Sequence, residues 1–143
     1  MLYYAGMILW FIAGNLFSDS QGDSKATPTV SVIIAIRDGE KSLPNLLADL
    51  SAQDYSGEIE FILVDDESTD STSKLIQEKS GVDKRFILEN SSNGDQSLSH
   101  KKRGLDAGIQ RAKNEWLLFT DVDCRLNPGW VTGMAAYFEY DVD

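Results

Sequence analysis

The run Val-Ser-Val-Ile-Ile-Ala-Ile at residues 30–36 decides the predicted fold. Val and Ile dominate it, and β-branched runs of this kind are typical of strands buried on both faces of a parallel sheet. Three more apolar runs follow, and segments with helical spacing of apolar residues separate them. The runs are 59–64, 86–88 and 116–120, and the helical segments are 43–50, 71–76, 105–112 and 130–138. This alternation predicts an α/β fold, a parallel-type sheet with helices on both faces.

Ahead of the first predicted strand, the chain divides into an apolar leader and a polar linker. Residues 1–17 carry no charged side chain, and the first charged residue is Asp19. This uncharged stretch is slightly shorter than the ~20 residues of a typical transmembrane helix. We expect 1–17 to be a transmembrane helix that anchors the protein, with a buried N-terminal helix as the alternative. Residues 18–29 are then a linker, and 30–143 form the α/β domain, which we expect to face the cytoplasm.

Charge and composition exclude several classes of function. Thirteen Lys and Arg against twenty-three Asp and Glu leave a net charge of −10. A chain this acidic is a poor match for the phosphate backbone of nucleic acid, so we expect no nucleic-acid partner. The single cysteine, Cys124, excludes an internal disulfide and a cysteine-based zinc site. The single histidine, His100, argues against histidine-based metal sites and catalytic triads.

Acidic residues follow three of the predicted strands. They are Asp38 after the first strand, Asp65 and Asp66 after the second, and Asp121 and Asp123 after the fourth. The carboxyl ends of parallel strands lie at one edge of the sheet, where open α/β sheets bind their ligands. A single acid at a strand end is as readily a helix cap or a turn former. Carboxylates that lie close together repel each other unless a cation neutralises them, so the pattern favours a site for Mg²⁺ or Mn²⁺.

The triplet Asp121-Val122-Asp123 has a spacing that suits one shared ion. In an extended segment, residues i and i+2 point to the same side. We therefore expect the two carboxylates to face one cation while Val122 packs inward. Oxygen ligands of this kind leave coordination positions open for diphosphate oxygens.

Four segments together resemble a known family, the inverting family 2 glycosyltransferases with a GT-A fold, which use nucleotide-diphosphate sugars. They are VSVIIAIRDGEKSLPNLLADLSAQDY (30–55), EIEFILVDDESTDST (58–72), KKRGLDAGIQRAKNEWLLFTDVDC (101–124) and NPGW (127–130). The resemblance covers nearly all of the chain after the linker. It implies a nucleotide-diphosphate sugar as partner, with a UDP-sugar favoured, and Mg²⁺ or Mn²⁺ as cofactor.

The resemblance also implies the residues around the nucleoside. In that family the end of the first strand lines the nucleoside pocket, which corresponds to Ala35, Ile36 and Arg37 here. The acid pair after the second strand contacts the base. It corresponds to Asp65 and Asp66, with Asp66 the better match for the uracil edge.

The resemblance also implies which residues lie near the diphosphate of the donor. The basic residue that opens the following helix approaches the nucleotide in that family, and it corresponds to Lys101, with Lys102 and Arg103 beside it. The D-x-D acids correspond to Asp121 and Asp123, and Asp123 is the expected metal ligand.

The chain departs from the family pattern at three places. Asp38-Gly39-Glu40 stands where the family usually has Asn-Glu after the Arg of the first strand. The family's general base lies well downstream of D-x-D and has no counterpart before Asp143, and the Q-x-x-R-W acceptor motif is missing. We therefore expect the donor-binding part of an enzyme that works by single displacement with inversion, without the acceptor half and without transfer activity of its own.

Two other functions stay open at this stage. The first is a non-catalytic, membrane-tethered module that binds nucleotide sugars. The second is a phosphoreceiver-type signalling domain, in which an acidic pair binds Mg²⁺ beside a phosphoacceptor Asp. Against the receiver, a strand precedes the acid pair, and no predicted strand follows Asp121 to carry the residues that a receiver needs.

Overall fold

The computed structural model describes residues 27–138, and strands and helices alternate through them. The strands are β1 (Val30–Ile36), β2 (Ile59–Asp65), β3 (Phe86–Asn90) and β4 (Trp116–Phe119). The helices are α1 (Leu43–Ser51), α2 (Thr72–Val82), α3 (Lys101–Arg111) and α4 (Trp130–Ala135), and a short 3₁₀ turn (Ser91–Asn93) follows β3. The predicted α/β alternation is confirmed.

The predicted leader at 1–17 and most of the linker at 18–29 lie outside the described residues. Within the described part of the chain, every helix is too short or too polar to cross a bilayer.

All four strands are parallel and lie in the order β3-β2-β1-β4. Strand β2 lies beside β1, and β3 lies beside β2, whereas β4 returns to the free side of β1. The chain therefore reverses its direction of winding between β1 and β4. Such a switch point opens a crevice at the carboxyl ends of the two strands, which is where this class of sheet binds ligands.

The sheet buries a separate apolar cluster on each face, as the predicted parallel sheet requires. Alternate residues of β1 and β2, such as Ile34 and Leu63, pack under α1, α2 and α4 on the larger face. The intervening residues, such as Ile33 and Val64, pack under α3 on the other face. The prediction of helices on both faces is confirmed.

Two glycines allow α3 to lie close to the sheet. A Cβ atom on Gly108 would stand 2.3 Å from Cγ2 of Ile33, and one on Gly104 would stand 3.2 Å from Cβ of Ala35. Because Gly104 lies one turn after the first residue of α3, this close approach brings the start of the helix next to the end of β1.

Candidate functional site

A cleft of about 340 Å³ opens at the carboxyl edge of the sheet. Loops after β1, β2 and β4 and the first residue of α3 supply its walls. The lining residues are Ala35, Arg37, Asp66, Lys101, Asp121, Val122 and Asp123. Six of the eight residues predicted from the sequence thus come together in one cleft, across the switch point between β1 and β4.

Asp66 is the buried acid of this cleft. Its backbone N–H donates to the carbonyl oxygen of Ile36 at 2.8 Å, which continues the β1–β2 ladder past the end of β2. The residue is only 3% exposed, and its Oδ1 has no hydrogen-bond partner within residues 27–138. A buried acceptor left without a donor costs about 1–3 kcal/mol, so Asp66 offers a place for an N–H or O–H of a ligand.

Arg103 lies at ion-pair distance from Asp66 but does not donate a hydrogen bond to it. Its Nη2 is 3.8 Å from Oδ1 of Asp66, beyond hydrogen-bond distance, and donates instead to Oε1 of Glu67 at 2.8 Å. Glu67 has a backbone φ of 58°, in the left-handed region that is uncommon for a residue with a side chain. The family resemblance places Arg103 beside Lys101 near the nucleotide and gives Glu67 no role.

The loops after β1 and β2 are tied together by reciprocal hydrogen bonds. The backbone N–H of Asp38 donates to Oγ of Ser68 at 3.0 Å, and the N–H of Thr69 donates back to Oδ1 of Asp38 at 2.7 Å. Glu40 and residues 70–71 exchange a second such pair of bonds. The Asp38-Gly39-Glu40 segment, where the sequence departs from the family pattern, therefore uses its acids to hold the wall of the cleft.

The basic side of the cleft comes from Arg37 and the start of α3. Nη1 of Arg37 lies 3.3 Å from Nδ1 of His100, the residue that precedes the helix. Nζ of Lys101 forms an ion pair with Oδ1 of Asp121, and both side chains are largely exposed. The cleft thus presents exposed cationic groups next to carboxylates, an arrangement that suits a phosphorylated ligand.

The backbone at Asp121-Val122-Asp123 differs from the prediction. The segment forms a turn, in which the N–H of Cys124 donates to the carbonyl oxygen of Asp121 at 3.2 Å, and β4 has already ended at Phe119. The i, i+2 rule for extended chains therefore does not apply. The two carboxylates reach the same cleft because the turn curves around it, and Val122 lines the cleft as well as packing against the larger apolar cluster.

Ile36 and Asp65, two of the residues predicted at the nucleoside, do not line the cleft. The period-two alternation of β-strands explains why. Ile36 is fully buried in the larger cluster, on the face opposite Ala35. Asp65 is buried, and its Oδ1 accepts a hydrogen bond from the N–H of Ser68 at 3.1 Å. A count of alternating positions from the start of β1 and β2 would have separated these residues from Ala35 and Asp66.

The acids of the cleft form an incomplete set of metal ligands. Among residues 27–138, no group of three or more His, Cys, Asp or Glu side chains is arranged to hold a metal ion by itself. Asp121 and Asp123 are hard oxygen donors, which fit Mg²⁺ or Mn²⁺, and they would leave the remaining positions to water and ligand oxygens.

Comparisons with known proteins agree with this architecture. The model for "Glycosyl transferase family 2" matches residues 31–143. A 4,4'-diaponeurosporenoate glycosyltransferase from Staphylococcus haemolyticus is 33% identical over 109 residues, which are 76% of this chain and 28% of that protein.

Two solved structures share the fold. One is S. aureus TarS 1-349 in complex with UDP, with a TM-score of 0.59 and 30% identity over 76% of this chain and 31% of the other. The second is the Mycobacterium tuberculosis glucosyl-3-phosphoglycerate synthase in complex with Mn²⁺, UDP and glucosyl-3-phosphoglycerate. It has a TM-score of 0.61 at 17% identity, over 81% of this chain and 44% of the other, and it shows likeness of fold alone.

The chain spans less than a third of the length of both the staphylococcal glycosyltransferase and TarS. The family match covers β1 to α4 and every residue that lines the cleft, and it excludes the phosphoreceiver interpretation. With its parallel sheet, its acid-lined cleft and these matches, the chain belongs to glycosyl transferase family 2.

Proposed function

We propose that this chain binds a nucleotide-diphosphate sugar, with a UDP-sugar as the favoured donor, and that binding depends on Mg²⁺ or Mn²⁺. The observation that carries the proposal is the single cleft in which a buried acid, two basic side chains and the D-x-D carboxylates meet. UDP is bound in the TarS structure, which is 30% identical to this chain over the matched part, and this supports the same ligand class here.

We assign the nucleobase of the donor to the inner part of the cleft. Asp66 has a buried oxygen without a donor, and an imide N–H such as that of uracil would satisfy it. Ala35 offers a small side chain on the same face of the sheet, which leaves room for a flat ring. Recognition of the base through an unsatisfied buried acceptor is selective, because a ligand without the N–H leaves the penalty in place.

The diphosphate is assigned to the outer part of the cleft, between Lys101, Asp121 and Asp123. Asp123, together with Asp121, would hold Mg²⁺ or Mn²⁺. When bound, the ion would neutralise charge on the diphosphate leaving group. Lys101 and Arg37 line the same cleft and would bind phosphate oxygens directly.

Transfer of the sugar needs one more group. In single displacement, a base within hydrogen-bond distance of the acceptor hydroxyl removes its proton. The three carboxylates that line the described cleft are all assigned to other ligands, one to the nucleobase and two to the metal ion. We therefore propose that the chain binds the donor and releases UDP slowly by hydrolysis, without glycosylating an acceptor.

The test is calorimetric titration of UDP into the full chain in Mn²⁺ and in EDTA, with uridine as a ligand that lacks phosphate. Asp66→Ala should weaken uridine and UDP alike, whereas Asp123→Ala should weaken UDP and leave uridine nearly unchanged. Glu78→Ala removes one exposed carboxylate of α2, away from the cleft, and serves as the charge-matched control. Equal UDP affinity in Mn²⁺ and EDTA would contradict the metal assignment, and identical behaviour of the two cleft variants would contradict the assigned roles.

Incubation with Mn²⁺, a panel of UDP-sugars and alcohol acceptors tests the proposed absence of transfer. We expect UDP release near the slow hydrolytic rate and no glycosylated product. Robust product formation would show that a base acts within this chain.

We further propose that residues 1–17 anchor the protein in a membrane with the α/β domain on the cytoplasmic side. The support is the uncharged apolar sequence of that segment. Expression of the full chain followed by alkaline carbonate extraction of membranes should leave it in the membrane pellet, and recovery in the supernatant would contradict the proposal.

A further inference from the structure

Lys101 and Asp121 form an ion pair, although the proposed function assigns the lysine to the diphosphate and the carboxylate to the metal ion. Lys101 opens α3 and Asp121 follows β4, so the pair crosses the cleft between its two walls. In this structure, Nζ of Lys101 contacts Oδ1 of Asp121, and the proposed function assigns that carboxylate to the divalent cation.

An ammonium group and a divalent cation cannot share that oxygen without cost. A divalent cation and an ammonium group at contact distance repel each other twice as strongly as two unit charges at the same separation. Lys101 and Asp121 are 58% and 54% exposed, so neither side chain is held in place by burial. The lysine is a flexible point charge on a four-carbon stem and is free to exchange partners.

The charges of the cleft are consistent with such an exchange. Within the described residues, Lys101 is the one basic side chain ion-paired with either D-x-D carboxylate. Once the lysine leaves, Asp121 and Asp123 present two uncompensated negative charges to an ion of charge +2. A diphosphate in the same cleft gives the lysine a new anionic partner.

We propose that Lys101 is an internal counter-cation, which holds Asp121 in the absence of ligand and transfers to the diphosphate when the donor binds. This rests on the proposed function and adds a coupling mechanism to it. Binding of the diphosphate releases Asp121 for the metal, and binding of the metal releases Lys101 for the diphosphate. Since coupling between two ligands is reciprocal, each then raises the affinity of the other.

The proposal predicts effects of opposite sign for one substitution. Lys101→Met removes the competing cation, so the variant should bind Mn²⁺ alone about fivefold to tenfold more tightly than the natural chain, a typical size for coupling between sites. The same variant should bind UDP in Mn²⁺ more weakly, because the phosphate loses a cationic partner. The factor by which UDP raises the Mn²⁺ affinity should fall accordingly.

Lys102→Met is the matched control. Lys102 is the next residue of α3, is exposed, and does not line the cleft. It carries the same charge, so its removal reports the general electrostatic effect of losing one lysine from an acidic chain. Its Mn²⁺ affinity should stay within about twofold of the natural chain, since exposed charges beyond direct contact are screened by salt.

The measurement is titration of Mn²⁺ into the detergent-solubilised full chain, followed by electron paramagnetic resonance of the free ion, with and without UDP. A gain in Mn²⁺ affinity confined to Lys101→Met supports the proposal. An equal gain in both lysine variants, or a loss in Lys101→Met, overturns it. The two failures are distinguishable: if the natural chain binds UDP with Mn²⁺ and Lys101→Met shows no gain, only the counter-cation role is wrong, whereas absence of UDP binding in Mn²⁺ overturns the proposed function as well.

Discussion

Strand β2 carries a buried acid near each end, and the two acids have different surroundings. Glu60, near the amino end, is 2% exposed, and its Oε1 accepts hydrogen bonds from Oγ of Ser31 at 2.6 Å and from the N–H of Lys113 at 3.0 Å. Nζ of Lys113 stands 3.6 Å from the other oxygen. Asp66, just past the carboxyl end, is buried to the same degree. Each acid has one oxygen without a hydrogen-bond donor among the described residues, and Nη2 of Arg103 stands 3.8 Å from that oxygen of Asp66. Unlike Glu60, however, Asp66 accepts no side-chain hydrogen bond from the part of the chain that the structure describes.

The difference separates a structural acid from a candidate ligand-binding acid. Glu60 joins β1, β2 and the turn between α3 and β4, where Oγ of Ser31 also accepts from the N–H of Asn114 at 3.3 Å. Its Oε1 receives two hydrogen bonds from the fold itself. Neither burial nor one oxygen without a donor therefore marks a functional acid. Asp66 differs from Glu60 because its carboxylate receives no hydrogen bond from the described residues and because it lines the cleft. Three predictions test this comparison between the two edges of the sheet, and a fourth concerns an ion pair outside it.

Glu60→Ala should have the largest effect, on stability. Removal of the carboxylate leaves the buried hydroxyl of Ser31 and the N–H of Lys113 without their acceptor, at a cost of about 3 kcal/mol in the free energy of unfolding. Glu60→Gln keeps an acceptor oxygen and should lose much less. Urea denaturation of both variants provides the measurement. If the Glu60→Ala chain is as stable as the natural one, Glu60 does not have the structural role assigned to it.

Asp66→Ala should show the reverse pattern. We expect the free energy of unfolding to change by less than about 1 kcal/mol, because no hydrogen bond to its Oδ1 is lost. Affinity for UDP should fall at least about tenfold, since the ligand's N–H then lacks an acceptor. Denaturation and calorimetry on one preparation measure both quantities. If Asp66→Ala destabilises the chain as much as Glu60→Ala does, Asp66 has a structural role like that of Glu60.

A matched pair of serines tests the two edges with the same chemical change. Ser31→Ala at the amino edge removes a fully buried hydroxyl that both donates and accepts, so we expect a loss of about 1.5 kcal/mol. Ser68→Ala at the carboxyl edge removes a partly exposed hydroxyl that accepts from the N–H of Asp38, a group that water can also satisfy. Its cost should be about 0.5 kcal/mol or less. Equal melting temperatures for the two variants would contradict the comparison.

Asp83→Asn should have the smallest effect, and one that depends on pH. Hydrogen bonds from the guanidinium of Arg85 hold the pKa of Asp83 below its ordinary value of 3.8. A lowered pKa in the folded state adds stability above the unfolded pKa, and this contribution is lost as the pH falls through the folded value. The pair is partly exposed, so the variant should lose only about 0.5 kcal/mol at neutral pH. Denaturation at pH 7, 5 and 3 should show the difference between the two chains shrinking below about pH 4, and a constant difference would assign the effect to packing.

Much of the fold and part of the cleft could be predicted because they depend on local patterns. The apolar runs predicted all four strands, and the acids after three of them predicted the functional edge, since parallel strands end together. Ile36 and Asp65 were assigned to the cleft because a resemblance by motif carries no information on which face of the sheet a residue occupies. The turn at residues 121–123 was mistaken for extended chain because β4 ends earlier than its apolar run predicts.

The sequence by itself determined the class of fold, the family and the residue types available for chemistry, because apolar periodicity and motif spacing are properties of the linear chain. The tertiary structure alone decided which buried acid accepts hydrogen bonds within the fold and which one lines the cleft without accepting any from the described residues. Ser31, Glu60 and Asn114 are brought into contact across three segments of the chain, whereas Oδ1 of Asp66 has no hydrogen-bond partner among the described residues. Hydrogen bonds between residues far apart in sequence depend on how the strands and helices pack, and that packing also brings Lys101 to Asp121.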